Sequence, residues 1–197
     1  MRIKSLKIEN FRNIKDIQIF PSDEMNVIYG ENAQGKTNII EAIWLFTGAK
    51  SFRGAKDEEL KRFSCEKARL KIEFEAEKIE KSAQIEINEK RIACLNEKPL
   101  KSVSHLAGKF NAIIFSPTDL RLLSDGPKVR RKFLDMAICQ LYPTYIEILR
   151  GYTKAVTQRN KILKDFKNNS SVLPLLDVFE NEIALSGEKI IKYRLRY

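Results

Sequence analysis

Gly30-Glu-Asn-Ala-Gln-Gly-Lys-Thr37 is the stretch whose reading decides the fold. It fits G-x-x-x-x-G-K-[ST], a glycine-rich loop that wraps backbone N–H groups around a phosphate. Gly30 and Gly35 let the chain turn those N–H groups inward. The positive end of a helix starting just after the loop strengthens the same field. In this pattern Lys36 reaches the β- and γ-phosphates, and Thr37 offers its hydroxyl to Mg²⁺. Glu31, Asn32, Ala33 and Gln34 complete the loop, so ATP with Mg²⁺ is the expected ligand.

The flanks fit a strand, loop and helix in that order. Residues 25–29 (MNVIY) form a short apolar run that reads as a buried strand entering Gly30. After Thr37, Ile39, Ile40, Ala42, Ile43 and Phe46 recur at helical spacing, and Gly48 suits a stop. Upstream, residues 3–8 and 14–20 read as two strands joined by a turn over residues 10–13. Downstream, Leu70, Ile72, Phe74 and Ala76 alternate with charged residues. Ala83, Ile85 and Ile87 continue the alternation, and Ile92 and Cys94 follow an Asn88-Glu89 turn. This is the pattern of an antiparallel meander with one wet face. Residues 111–115 (NAIIF) read as a second buried strand, ended by Pro117.

From Pro127 the period changes to that of helices. Val129, Phe133, Ala137 and Leu141 share a face, and Pro143 suits the first turn of a next helix reaching about residue 166. Residues 167–172 are a polar loop, and Pro174 restarts a helix. Leu176, Phe179, Ile183 and Ile190 then keep a spacing that suits helix packing. The two long helices are expected to form an antiparallel hairpin projecting from an α/β body.

The 197 residues carry a net charge of +10. Ten Lys or Arg stand against three acids between Arg121 and Lys164, so this segment holds most of the surplus. Such a balance favours polyanionic partners, nucleic acid before a membrane surface. Cys65, Cys94 and Cys139 lie far apart, and His105 is the single histidine. These spacings argue against a zinc site, a disulfide framework or a histidine-based triad. No apolar run approaches the ~18 residues of a membrane span.

Residues 4–13, 30–42 (GENAQGKTNIIEA) and 48–54 (GAKSFRG) together resemble the heads of ABC-type chromosome and repair ATPases such as SMC. Residues 115–120 (FSPTDL), 126–135 (GPKVRRKFLD) and 152–163 (YTKAVTQRNKIL) are similar to signatures of the RecF family. The resemblance spans nearly the whole chain. It implies a P-loop ABC-type ATPase head, an α/β fold with mixed and antiparallel sheets and a helical lid. The head would cover residues 1–120 and the lid residues 121–197, with the chain a part of a longer protein. The function implied is ATP-dependent DNA binding in recombinational repair, with slow ATPase activity and an ATP-dependent homodimer. The partners implied are single-stranded and gapped double-stranded DNA and proteins of the RecR and RecO type. A cytoplasmic, nucleoid-associated location follows.

Two arginines carry over from the resemblance. Arg12 matches a nucleotide-contacting arginine of related heads, and Arg53 matches an arginine that approaches the γ-phosphate, where it would oppose developing charge. Thr118 stands where the family usually has Glu. Neither a Walker B acid pair nor an LSGGQ-like signature is present, and LSGEK at 185–189 sits in a helical stretch. The chain alone is therefore expected to bind ATP weakly and hydrolyse it barely. Alternatives are another SMC-like head, a small-molecule kinase or GTPase, and a binding fragment without catalysis. The meander argues against the kinase or GTPase, whose P-loop is followed by parallel βαβ units.

Overall fold

The computed structural model describes residues 1–116, 124–165 and 173–197. They fall into two compact units, Met1–Ser116 and Pro117–Tyr197. In the first, β1 (Arg2–Phe11), β2 (Ile14–Ile19), β3 (Ala68–Ala76), β4 (Ile79–Ile87), β5 (Arg91–Leu95) and β6 (Lys98–Pro99) make one sheet, ordered β2-β1-β3-β4-β5-β6. Helix α1 (Lys36–Leu45) and the short α2 (Asp57–Leu60) lie between β2 and β3 in the chain.

The alternation read in the sequence sets the sheet's two faces. Leu70, Ile72, Phe74, Ile85 and Ile87 are fully or almost fully buried, while Arg69, Lys71 and Glu73 of β3 are exposed. Ala42 and Leu45 from α1 and Phe46 at its C-cap pack into the same core, as do Leu106 and Phe110. The Phe110 ring meets those of Phe74 and Phe46 edge-on, at 5.2 and 6.2 Å between centroids. Gly48 ends this stretch with φ +78°; a Cβ there would meet the backbone of Val103 and Ala107 at 3.0 Å, so only glycine fits.

Every strand pairing among the described residues is antiparallel. One expectation is corrected here. Residues 25–29 and 111–115 are neither strands nor buried: Tyr29 is 90% exposed and Ile113 99%. A continuous apolar run suits a strand covered on both faces. That state needs neighbouring strands to take up its backbone N–H and C=O groups, and neither run has a described one. Arg2 pairs with Asp23 at 2.9 Å, and the Asn111 N–H donates to Met1 Sδ at 3.4 Å.

The second unit is helical: α3 (Pro127–Leu141), α4 (Pro143–Asp165) and α5 (Leu173–Arg194). Pro127 opens α3 and Pro143 opens α4, where a missing N–H costs nothing. Arg159 pairs with Glu180 at 3.1 Å, and Thr144 Oγ1 lies 3.4 Å from the Tyr193 hydroxyl, so α4 and α5 run antiparallel. Ile138, Tyr145 and Ile190 are the buried centre. Asp135 accepts from the Tyr145 hydroxyl and from Arg194 Nε and Nη2 at 2.9 and 2.8 Å. Burial first and Asp135 second push the Cys139 thiol up to about 11, so it stays protonated at neutral pH. Thr118, Arg121, Pro117 and the polar loop at 167–172 lie outside the described residues. No helix among the described residues is long and apolar enough to cross a membrane.

Candidate functional site around the glycine-rich loop

Residues 30–35 form the loop, and α1 begins at Lys36. Gly35 occupies the N-cap with φ 96° and brings no side-chain cap, so the first-turn N–H groups of α1 are not taken by a capping side chain. A helix start of this kind favours an anion. An added Cβ at Gly35 would lie 2.8 Å from Asn13 Oδ1, so a side chain here would displace the Asn13 amide as well as strain the backbone.

The loop opens on a cavity of about 850 Å³ lined by Arg12, Asn13, residues 32–38, Arg53, Glu59 and residues 61–63. Small-molecule sites commonly span about 300–1,000 Å³. Of the eight loop residues singled out in the sequence, Asn32, Ala33, Gln34, Gly35, Lys36 and Thr37 line it. Gly30 and Glu31 contribute differently. Their carbonyl oxygens accept from Lys36 Nζ at 2.7 and 2.6 Å, which ties the start of the loop to the lysine just past its end.

Arg12 and Arg53 also reach this cavity, and the structure adds a residue that connects them. Glu41 on α1 is fully buried. It accepts from Arg12 Nε and Nη2, each at 3.0 Å, and from Ser51 Oγ at 2.5 Å. Arg53 Nη1 stands 3.7 Å from the same carboxylate. Arg12 Nη1 donates to the Glu59 carbonyl at 2.9 Å, so the Arg12 guanidinium is largely spent on bracing the site. Arg53 is less committed: its side chain is 47% exposed. Ser51 also accepts from the Arg53 and Ala55 N–H groups at 3.1 and 3.3 Å, which shapes the turn that carries Arg53.

Asn13 and Asn38 form a second brace. Asn13 Nδ2 donates to the Ala33 carbonyl at 2.7 Å, and Asn38 Nδ2 donates to Asn13 Oδ1 at 2.8 Å. Arg53 Nη1 donates to Asn38 Oδ1 at 3.0 Å. Ala33 has φ 66°, an uncommon conformation for a residue with a Cβ, and the Asn13 bond helps hold it. Asn13→Ala is expected to weaken nucleotide binding about fivefold, the worth of one net hydrogen bond near 1 kcal/mol. Unchanged affinity by calorimetric titration would remove Asn13 from the site.

Glu41, Asn13 and Asn38 are absent from the sequence reading of the site. The signal for Glu41 was an acid inside the apolar run IIEAIWL, four residues after Thr37 and so on the same helix face. Asn13 adjoins Arg12 in the turn, but its contact with the loop is long-range and leaves no local trace.

The oxygen donors fit a Mg²⁺ ion that arrives with phosphates. Thr37 brings one hydroxyl to the cavity wall. No group of three or more His, Cys, Asp or Glu among the described residues could hold a metal ion. Magnesium commonly keeps waters and phosphate oxygens as ligands and needs few from the protein.

Comparison with known proteins places these features. The family model for the AAA ATPase domain matches residues 1–186. The DNA replication and repair protein RecF of Acetivibrio thermocellus is 38% identical over 199 residues, spanning 100% of this chain and 54% of that protein. RecF of Clostridioides difficile is 39% identical over 193 residues, spanning 96% and 51%. A solved structure of the recombination mediator protein RecF with ATP, in the RecFOR pathway, superposes with TM-score 0.94 at 35% identity. It covers 100% of this chain and 53% of that one. The Smc head domain from Pyrococcus furiosus matches at TM-score 0.53 and 18% identity, over 99% of this chain and 58% of that one, a likeness of fold alone. The chain spans about half the length of the RecF relatives it matches.

Proposed function

The chain belongs to the AAA ATPase domain family and is RecF-like along its whole length, and from this premise we propose that it carries one half of an ATP·Mg²⁺ site in a DNA-repair ATPase. The observation that carries the proposal is the cavity in which the phosphate loop, Lys36, Thr37 and Arg53 converge. The loop N–H groups and Lys36 take the β- and γ-phosphates, and Thr37 gives the protein's ligand to Mg²⁺. Arg53 stands where a half-exposed guanidinium can leave Glu41 and Asn38 for an arriving γ-phosphate. Among the described residues no carboxylate lines the cavity except Glu59, so the chain alone binds ATP and turns it over very slowly. Rapid hydrolysis by the purified chain would overturn this.

Within the same proposal, ATP promotes a homodimer and the assembly acts with RecR- and RecO-type proteins at gapped DNA. Lys128, Arg131 and Lys132 near the start of α3 are exposed and give a polyanion a place to sit. If two to three phosphates are contacted there, affinity for a gapped duplex falls roughly ten- to fortyfold between 50 and 200 mM salt, because each contact releases a counterion. Fluorescence anisotropy across that range checks this. Flat salt dependence, or no effect of a Lys128→Glu, Arg131→Glu, Lys132→Glu triple variant, would reject the basic helix as the contact.

A further inference from the structure

We propose that Phe63 is the platform on which the base of the bound nucleotide stacks, an inference that rests on the triphosphate reading of the cavity. Phe63 is 93% exposed and lines the same cavity as the phosphate loop, beside Lys61 and Arg62. A single exposed aromatic residue needs no explanation by itself. This one is presented by a backbone that is held firmly. The Arg62 N–H donates to the Asn10 carbonyl at 2.8 Å, and the Arg12 N–H donates to the Leu60 carbonyl at 2.8 Å. Lys61 bridges to Phe11 at the end of β1. Ser64 follows with φ 61°, and the Cys65 N–H closes the turn onto the Arg62 carbonyl at 3.0 Å.

The result is a rigid turn clamped to the β1–β2 connection, the same connection whose Asn13 supports the loop. It keeps a ring in water on the cavity's wall instead of packing it into the core. The cavity, at about 850 Å³, is larger than a triphosphate requires and has room for a nucleoside. A planar base has a π-face whatever its identity, so stacking adds affinity with little choice between bases. Phe63 therefore supplies affinity for nucleosides over bare phosphates, and selection of adenine falls to other groups.

The test compares ligands with and without a base on the 197-residue chain. Isothermal titration with ATP, GTP and inorganic triphosphate, each with Mg²⁺, is run on the parent and on Phe63→Ala and Phe63→Trp. Phe63→Ala is expected to weaken ATP and GTP alike by roughly tenfold and to leave inorganic triphosphate unchanged. Phe63→Trp is expected to retain nucleotide affinity. Unchanged ATP affinity in Phe63→Ala would overturn the proposal. An equal loss for inorganic triphosphate would overturn it too, since the effect would then come from the loop. Failure of the parent to bind either ATP or inorganic triphosphate would instead sink the phosphate site itself, and the stacking proposal with it.

Discussion

Lys36→Ala is expected to weaken binding of Mg²⁺-ATP by roughly a hundredfold. A hydrogen bond between charged partners contributes about 1.5–3 kcal/mol, and each 1.4 kcal/mol is about a factor of ten. The lysine also spans the Gly30 and Glu31 carbonyls at 2.7 and 2.6 Å, so its loss loosens the loop that presents the N–H groups. Both effects act on the ligand more than on the fold, because these contacts are exposed. The melting temperature without ligand is expected to move by less than about 4 °C, the shift that roughly 1 kcal/mol produces in a chain of this size. Equilibrium titration with a fluorescent ATP analogue, alongside thermal melts, checks both halves. ATP affinity unaffected by the substitution would remove the phosphate-loop assignment.

Glu41→Ala acts on the fold instead. The carboxylate is fully buried and takes two hydrogen bonds from Arg12, whose side chain is 19% exposed. Removing one partner of such a pair leaves an uncompensated cation and costs about 3–5 kcal/mol. Glu41→Gln keeps the volume and a carbonyl acceptor for Ser51, so its cost is smaller. The sole tryptophan, Trp44, is buried one turn away in the same unit, and its Nε1–H donates to the Lys50 carbonyl at 2.9 Å. Its fluorescence during urea unfolding thus reports this unit apart from the helical one. A Trp44 transition that stays at the parent's urea midpoint in Glu41→Ala would show that the Arg12–Glu41–Arg53 cluster is not what holds the site together. The same variant frees both arginines from their common anchor, so ATP affinity is expected to fall along with stability.

Features that depend on neighbours in the chain were legible from the start. The loop from Gly30 to Thr37, the helix behind it, the meander from Ala68 onward and the prolines opening α3 and α4 each follow from local spacing or from one residue's backbone limits. Leu176, Phe179, Ile183 and Ile190 read as packing positions, and on α5 the first three are half-buried and Ile190 is buried, with Ser186, Gly187, Tyr193 and Arg194 also half-buried. What failed was the reading of residues 25–29 and 111–115 as buried strands. An apolar run states that a segment is compatible with burial. Whether it is buried depends on a partner strand, and none is described beside either run.

The site divides in the same way. By itself the sequence marked a glycine-rich loop running into a helix and picked out Lys36 and Thr37 as the residues proposed to meet phosphate and Mg²⁺, because those proposals attach to residue types at fixed spacing. Only the tertiary structure decided who supports them. Asn13 is 20 residues from Ala33, and Arg12 is 29 residues from Glu41. Such contacts are made by the packing of the β1–β2 connection against α1. They place a buried carboxylate between two arginines and a clamped aromatic ring on the cavity wall. Hydrogen bonds and ion pairs act over a few ångströms in space regardless of separation along the chain, so these arrangements appear only once the fold has brought their partners together.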